Sequence, residues 1–91
     1  MTNLKNDEVA VCYADGQTDG QSDNMFIERN IVYSYGRHFP IAIRQNDGSY
    51  LFNADGYSRT TAKHKGYIKK ALERKGVSIV MSDTSSMRAL R

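Results

Sequence analysis

A hairpin turn near the middle of the chain places the strongest constraint on the fold. Asn46, Asp47 and Gly48 separate the segments FPIAIRQ and SYLF, in which apolar residues alternate with other residues. Glycine supplies the left-handed backbone that such a turn requires. The chain is therefore expected to contain an antiparallel sheet, with one strand in FPIAIRQ and the return strand at Tyr50–Asn53.

Two further segments have the composition of strands. MFIERNIVYSY is rich in β-branched and aromatic residues, and its period-two pattern predicts that Ile31, Tyr33 and Tyr35 share one face, opposite Val32 and Ser34. GRHFP then interrupts this strand with a predicted turn or bulge, because Gly36 can take a positive φ and Pro40 cannot donate to a ladder. VSIVM is expected to be the last strand of the sheet.

One amphipathic helix is predicted between the hairpin and the last strand. Thr60 or Thr61 is expected to cap its start, and Gly76 to end it. Apolar positions recur at i, i+3, i+4, i+7 and i+8, which predicts one buried stripe: His64, Tyr67, Ile68, Ala71 and Leu72. The fold class is therefore predicted as α+β, an antiparallel sheet of four to five strands with one helix on one face, in the order (β)βββαβ.

Charge divides the chain into unequal parts. Residues 1–24 contain one lysine and five acids, a net charge of −4, whereas residues 25–91 contain twelve basic residues and five acids, a net charge of +7. Within the first part, EVAVCYA alternates like a short strand and DGQTDGQSDN has the composition of a mobile loop. Either that strand joins the sheet edge or the whole leader is disordered. The predicted organisation is an acidic, partly mobile leader (1–24), an α+β domain (25–83) and a C-terminal tail (84–91).

Several classes of protein and site are not expected from the composition. Cys12 is the only cysteine, so no internal disulfide forms, and a reducing cytoplasm is the simplest setting. No apolar run approaches the roughly 20 residues of a membrane helix, and MTNLKNDEVA does not resemble a signal peptide. His38, His64 and Cys12 do not form a zinc spacing, so no metal or cofactor is predicted.

No catalytic residues are predicted. The serines and threonines suit strand and cap positions, the carboxylates do not pair on a shared element, and no glycine-rich phosphate loop occurs. His64 has two interpretations: a histidine at the edge of the core, bonded to tyrosine or backbone, or a surface or pH-sensitive site. An enzyme of a kind that the sequence does not reveal stays an alternative.

A basic run covers the predicted helix. Between residues 59 and 75, seven basic residues face a single acid, Glu73. The run is either a solvated helix face or a site for an external anion, because the acids that normally interleave at i+4 are missing. The predicted binding residues are Tyr57, Arg59, Lys63, Lys65, Lys69, Lys70, Arg74 and Lys75. Tyr35, Arg37 and His38 form a predicted second surface.

Nucleic acid or a nucleoprotein is the expected partner of the basic run. Phosphate contacts would dominate such binding, with weak sequence preference. An acidic protein face is the alternative partner, and no membrane partner is expected.

The two most distinctive segments, VYSYGRHFPIAI and LFNADGYSRTTAKHKGYIKKAL, resemble a family of small uncharacterised domains encoded largely by bacteriophages and mobile elements. The matching residues are Tyr33, Ser34, Tyr35, Gly36, His38, Phe39 and Pro40, then Asn53, Tyr57, Ser58, Thr60, Thr61 and His64. The resemblance covers roughly residues 31–75. It implies a phage accessory protein in the cytoplasm of a bacterial host, where such small proteins commonly disable host machinery, anti-CRISPR proteins among them.

The predicted function combines the basic run with that resemblance. It is a non-enzymatic, phage-type inhibitor that evades host defence by placing its basic helix on host nucleoprotein. A protein-only interaction module that uses its sheet edge or its acidic leader is the alternative.

Overall fold

The chain forms a six-stranded mixed sheet and three helices, so the predicted α+β class is confirmed. The computed structural model describes residues 4–56 and 58–90. Its elements are α1 (Asn6–Ala14), β1 (Asp19–Gln21), β2 (Met25–Glu28), β3 (Ile31–Ser34), β4 (Pro40–Arg44), β5 (Tyr50–Asn53), α2 (Arg59–Lys75), β6 (Ile79–Ser82) and α3 (Thr84–Ala89).

The strands lie side by side in the order of the sequence. Each neighbouring pair from β1 to β5 is antiparallel, whereas β5 and β6 are parallel. Parallel neighbours need a crossover connection, and α2 provides it across one face of the sheet. The predicted purely antiparallel sheet of four to five strands with one helix was therefore too simple in strand number, strand direction and helix number.

The segment EVAVCYA lies in α1, so the predicted strand there was wrong. Val9, Ala10 and Tyr13 are buried, which is the spacing of a helix face. The Glu8 carboxylate accepts the Lys5 backbone N–H at 2.8 Å, one half of a capping box. A segment this short is compatible both with the two-residue period of a strand and with the 3.6-residue period of a helix. Packing against the sheet selects the helix here.

Part of the predicted mobile loop forms β1. Gly20 pairs with Ile27 of β2, and the Leu4 N–H donates to the Gln21 carbonyl at 2.8 Å. Described residues of the leader therefore pack on the sheet. The mobility of residues 15–24 and the boundary at residues 24–25 stay predictions, and residues 1–3 lie outside the described chain.

The segment MFIERNIVYSY is a hairpin of two strands, β2 and β3. Its turn contains Arg29 with φ 60°, and the Tyr13 hydroxyl donates to the Asn30 carbonyl at 2.8 Å. The turn contains no glycine, so composition did not reveal it. The predicted faces of β3 are confirmed for Ile31 and Tyr33, which belong to one core cluster, and for Val32, which belongs to the other. Tyr35 was expected on the face of Ile31 and Tyr33, but its ring lies near that of His64 on the opposite face, so that part of the prediction was wrong.

The interruption after β3 is confirmed as a turn at residues 35–39, but its backbone differs from the prediction. Tyr35 rather than Gly36 has the positive φ, at 65°. The register of the β3–β4 ladder shifts between Val32 and Tyr33, within β3, and Pro40 pairs with Tyr33 at the start of β4. Gly36 has a steric reason instead, because a Cβ there would lie 2.9 Å from Nδ1 of His38.

Helix α2 starts earlier than predicted and ends where predicted. Ser58 is the N-cap, and its Oγ accepts the Thr61 N–H at 3.1 Å, so neither Thr60 nor Thr61 is the cap. Gly76 has the left-handed conformation of a C-terminal cap, with φ 71°.

The sheet has a hydrophobic cluster on each face. Helices α1 and α2 cover one face, where Val32, Tyr50 and Phe52 are buried. On the other face, Met87 of α3 is fully buried against a smaller cluster that includes Ile43. The predicted C-terminal tail therefore contains a helix, which the Asp83 carboxylate caps by accepting the Ser86 N–H at 2.7 Å.

Candidate nucleic-acid interface

The inner side of α2 holds most of the predicted apolar stripe. Its buried residues are Thr61, His64, Ile68, Ala71 and Leu72. Tyr67 was expected in this stripe, but 41% of its surface is exposed. The buried arc is therefore narrow, and the remaining residues of the helix lie at the surface or its edge.

Four basic residues follow one line along the outer side of α2. Arg59, Lys63, Lys70 and Arg74 occupy positions i, i+4, i+11 and i+15, which a helix of 3.6 residues per turn places within an arc of about 60°. We call these four residues the basic row. The row spans about 22 Å at a rise of 1.5 Å per residue.

Each side chain of the basic row is exposed. Within residues 4–56 and 58–90, the ion pairs join Arg37 to Glu28 and Lys75 to Asp15, and neither includes a residue of the row. The row is therefore a line of positive charge without an intramolecular counterion among the described residues.

Two of the predicted binding residues have structural partners. The Lys65 ammonium donates to the Asp55 carbonyl at 2.8 Å and lies 5.7 Å from the centre of the Phe52 ring. Burial lowers the pKa of Lys65, and the nearby Asp55 carboxylate partly opposes that shift. Lys75 pairs with Asp15 of α1 at 2.5 Å. Both side chains therefore contribute to packing between elements.

The other predicted binding residues divide as follows. Lys69 is exposed on the flank of α2 nearer to Lys65, away from the row. Tyr57 lies outside the described residues. The structure thus aligns four of the predicted basic residues and separates Lys65, Lys69 and Lys75 from them.

Helices α1 and α2 start at the same end of the sheet. The Ser22 hydroxyl donates to Oδ1 of Asn6 at the start of α1, and the Ser22 N–H donates to the Met25 carbonyl. At the start of α2, Thr61 Oγ1 lies 3.1 Å from Ser34 Oγ, and Ser34 pairs with Met25 in the sheet. The two helices therefore begin near the same strand pair.

An ion pair between Asp15 and Lys75 joins the C-terminal ends of the two helices. Nine residues make α1 about 14 Å long, and seventeen residues make α2 about 26 Å long, so α2 is about 12 Å longer than α1.

The predicted second surface is not one surface. Tyr35 is 49% exposed, and its ring centre lies 5.5 Å from that of His64 on the helix side of the sheet. Arg37 pairs with Glu28 and lies over the Phe26 ring, which packs with the cluster on the α3 side. His38 is exposed in the loop between them.

A cleft of about 550 Å³ lies beside Arg37 on the α3 side, and the sequence did not predict it. Its lining residues are Glu28, Arg29, Asn30, Ile31, Tyr33, Arg37 and Leu90. They come from β2, β3, the unpredicted turn between these strands, the β3–β4 loop and the residue that follows α3, so no sequence pattern connects them.

His64 belongs to a buried polar network. Its Nδ1 lies 2.8 Å from Ser34 Oγ, which also contacts Thr61 Oγ1. His64 is 1% exposed, its Nε2 has no hydrogen-bond partner within the described chain, and burial lowers its pKa. The core interpretation is confirmed, although its partner is serine rather than tyrosine or backbone. Ser34 is fully buried, so its hydroxyl does not face solvent.

Residues 4–56 and 58–90 contain no cluster of three or more histidine, cysteine, aspartate or glutamate side chains that could hold a metal ion. None of the helices in these ranges combines the length and apolar character needed to cross a membrane.

Comparison with known proteins adds no family to these observations. No protein-family model, curated protein or solved structure matches the chain. The resemblance to phage-encoded domains therefore stays a prediction.

Proposed function

We propose that the protein is a non-enzymatic binding module that holds nucleic acid against the basic row of α2. The observation that carries this proposal is the alignment of Arg59, Lys63, Lys70 and Arg74 on one exposed line without a counterion in the described chain. A phosphodiester backbone is a line of negative charge, so it can contact several members of the row at once.

The charge of α2 opposes its own helix dipole at the N-terminal end. The first turn of α2 contains no acid, and Arg59 lies there. Cations near a helix N-terminus are unfavourable, and like charges at i and i+4, such as Arg59 and Lys63, repel each other. A bound polyanion relieves both effects.

Binding through this row is expected to show weak sequence preference. The α2 sequence RTTAKHKGYIKKALERK contains neither asparagine nor glutamine, the side chains that read adenine by paired hydrogen bonds. Long, exposed lysine and arginine side chains on a regular row suit contact with phosphates, which carry no base identity.

The biological role that we propose is inhibition by occupation. A phage-type protein of this kind would cover a nucleic-acid strand or a nucleoprotein site of the bacterial host and so block defence machinery. This role rests on the predicted resemblance of residues 31–75 to phage-encoded domains.

Charge reversal with a matched control tests the proposal. Lys63→Glu/Lys70→Glu is expected to weaken binding of a fluorescein-labelled oligothymidylate by tenfold or more, about 1.4 kcal/mol. Lys5→Glu/Arg88→Glu changes the net charge equally at exposed positions outside α2, and its affinity is expected to stay within about twofold of wild type. Equal losses in both variants would show that net charge alone governs binding.

The salt dependence separates nucleic acid from an acidic protein face. Four phosphate contacts on a single strand predict that log affinity falls linearly with log salt with a slope of about −3. An acidic protein face predicts a shallow loss, because only screening acts there.

A second candidate function rests on the outer strand β6. Val80 and Met81 are 49% and 56% exposed there, and β6 has a strand neighbour, β5, on one side only. Such an edge can accept a strand from another protein. Partner capture that survives nuclease treatment and is lost in Val80→Lys/Met81→Lys would favour this protein-only module over nucleic-acid binding.

A further inference from the structure

Gly66 interrupts the basic row at its centre. It lies three residues after Lys63 and four before Lys70, so helical spacing places it on the same outer side of α2. Gly66 is exposed, and a Cβ built at this position would meet no atom within 4 Å apart from its chain neighbours and the backbone of its own helix.

The described chain offers no internal reason for this glycine. Glycine is unfavourable in a helix interior, and it is usually found where the backbone needs a positive φ or where another group approaches closely. Gly66 has helical backbone and open space around it. The helix begins at Arg59, seven residues earlier, so Gly66 does not mark a weak first turn either.

We infer that Gly66 is the point where a phosphodiester strand lies directly on the backbone of α2, between Lys63 and Lys70. This inference rests on the proposed function and adds a contact that charge alone does not require. Without a Cβ, the strand approaches the helix more closely by about 1.5 Å, one carbon–carbon bond. Coulomb attraction rises as distance falls, so both lysines then hold the phosphates more strongly.

The first test uses the opposite effects of one methyl group on stability and on affinity. Gly66→Ala is expected to raise the thermal midpoint by about 4–8 °C, because alanine favours the helix. The same change is expected to weaken binding of a fluorescein-labelled oligothymidylate by about tenfold, because the methyl group holds the strand away.

Ala62 provides the matched control one turn earlier on the exposed side of α2. Ala62→Gly is expected to lower the thermal midpoint by about the same amount and to leave the affinity within about twofold of wild type. If Ala62→Gly weakened binding as much as Gly66→Ala, helix stability would explain both losses and the inference would be wrong.

A second pair of variants separates close approach from charge. Gly66→Lys adds a positive charge to the row but fills the space beside the backbone, and it is expected to weaken binding. Ala62→Lys adds the same charge one turn away, and it is expected to bind at least as tightly as wild type. Tighter binding by Gly66→Lys would overturn the inference, because the row would then act through charge alone.

The outcomes distinguish this inference from the proposed function. If Lys63→Glu/Lys70→Glu abolishes binding while Gly66→Ala binds like wild type, binding by the basic row is supported and the contact at Gly66 is rejected. If the double reversal leaves binding unchanged, the proposed function is rejected, and the inference about Gly66 that rests on it is rejected too. A duplex of the same length, tested as a second probe, shows whether the phosphodiester comes from a single strand or a duplex. A loss of affinity in Gly66→Ala for either probe supports the inference. If the affinity of Gly66→Ala is unchanged for the single strand and for the duplex, the inference is wrong.

Discussion

Helices α1 and α2 lie on the same face of the sheet. The charges in the first turn of α1 stabilise that helix, whereas the charge in the first turn of α2 destabilises it. The first turn of α1 contains Asp7 and Glu8, which suit the positive end of its dipole. The first turn of α2 has no acid and contains Arg59, and its interior contains the exposed Gly66. The residues of α1 thus favour their helix, whereas several residues on the outer side of α2 oppose theirs.

This difference teaches where to look for function. Side chains that stabilise a helix have a sufficient reason within the fold. Unpaired like charges and a glycine in open space reduce the stability of the helix. The fold does not explain their presence, whereas contact with an external partner does. If this interpretation is correct, the buried inner side of α2 stabilises the helix and the exposed outer side does not.

The largest effect is expected at the inner side of α2. Leu72 is fully buried, and Leu72→Ala is expected to lower the free energy of unfolding by about 2–5 kcal/mol through lost burial and a cavity. Urea denaturation measures this change. In the same assay, Lys63→Glu/Lys70→Glu is expected to shift stability by no more than about 0.5 kcal/mol. A comparable loss in the double variant would break the division between an inner and an outer side.

The next effect tests whether α1 belongs to the folded unit. Val9 is fully buried, so Val9→Ala is expected to cost about 2 kcal/mol of unfolding free energy. Val11 is 50% exposed on the same helix, and Val11→Ala is expected to change stability by less than about 0.5 kcal/mol. Equal and negligible costs would indicate a mobile leader after all.

Limited proteolysis sharpens that result. The predicted mobility of residues 15–24 implies that the first cuts fall between Asp15 and Met25. Cleavage within α1 before this loop would show that the helix, rather than the loop, opens first.

A smaller effect is expected from the pH dependence of His64. Burial lowers the pKa of His64 below its ordinary value of 6.5, so the unfolded chain binds a proton more readily than the folded chain. The stability due to neutral His64 is therefore complete above pH 6.5 and is lost as the pH falls toward the folded-state pKa.

Thermal midpoints between about pH 7.5 and about pH 5 measure this loss. The midpoint of the wild type is expected to fall by a few degrees, and His64→Gln is expected to lose much of this pH dependence. The exposed His38 provides the control, since His38→Gln should keep the wild-type profile. An unchanged profile in His64→Gln would assign the pH dependence to other groups.

The smallest effects compare the two helix starts directly. Glu8→Gln in α1 is expected to lower the free energy of unfolding by about 0.3–1 kcal/mol, and Arg59→Glu in α2 to raise it by a similar amount. Urea denaturation at low ionic strength measures both, and added salt should reduce both. A loss of stability in Arg59→Glu would show that the charge of Arg59 does not oppose the dipole of α2.

The sequence predicted the elements in which local residue preferences allow only one backbone conformation. Gly48, at φ 89°, forms the hairpin turn, and Gly76 ends α2, because glycine meets the left-handed conformation at both sites without strain. The alternation of Ile31 and Tyr33 with Val32 and Ser34 matched the two faces of the sheet, because a strand has a period of two.

The predictions failed where local residue preferences are compatible with more than one secondary structure. The run around Val9 and Tyr13 fits a strand or a helix, and only the sheet surface beneath it selects the helix. Three residues of a polar loop became β1 because β2 offered an unpaired edge. The turn at Arg29 has no glycine, and the Tyr13 hydroxyl, seventeen residues from Asn30, bonds to that turn.

The candidate site shows the same division. Composition alone predicted a basic helix, since seven basic residues and one acid lie between residues 59 and 75. Tertiary contacts then determined which cations are unpaired, because Asp55, Phe52 and Asp15 approach Lys65 and Lys75 from distant parts of the chain. Helical periodicity is local and can be derived from the sequence, whereas the partner of a long side chain depends on how the elements pack.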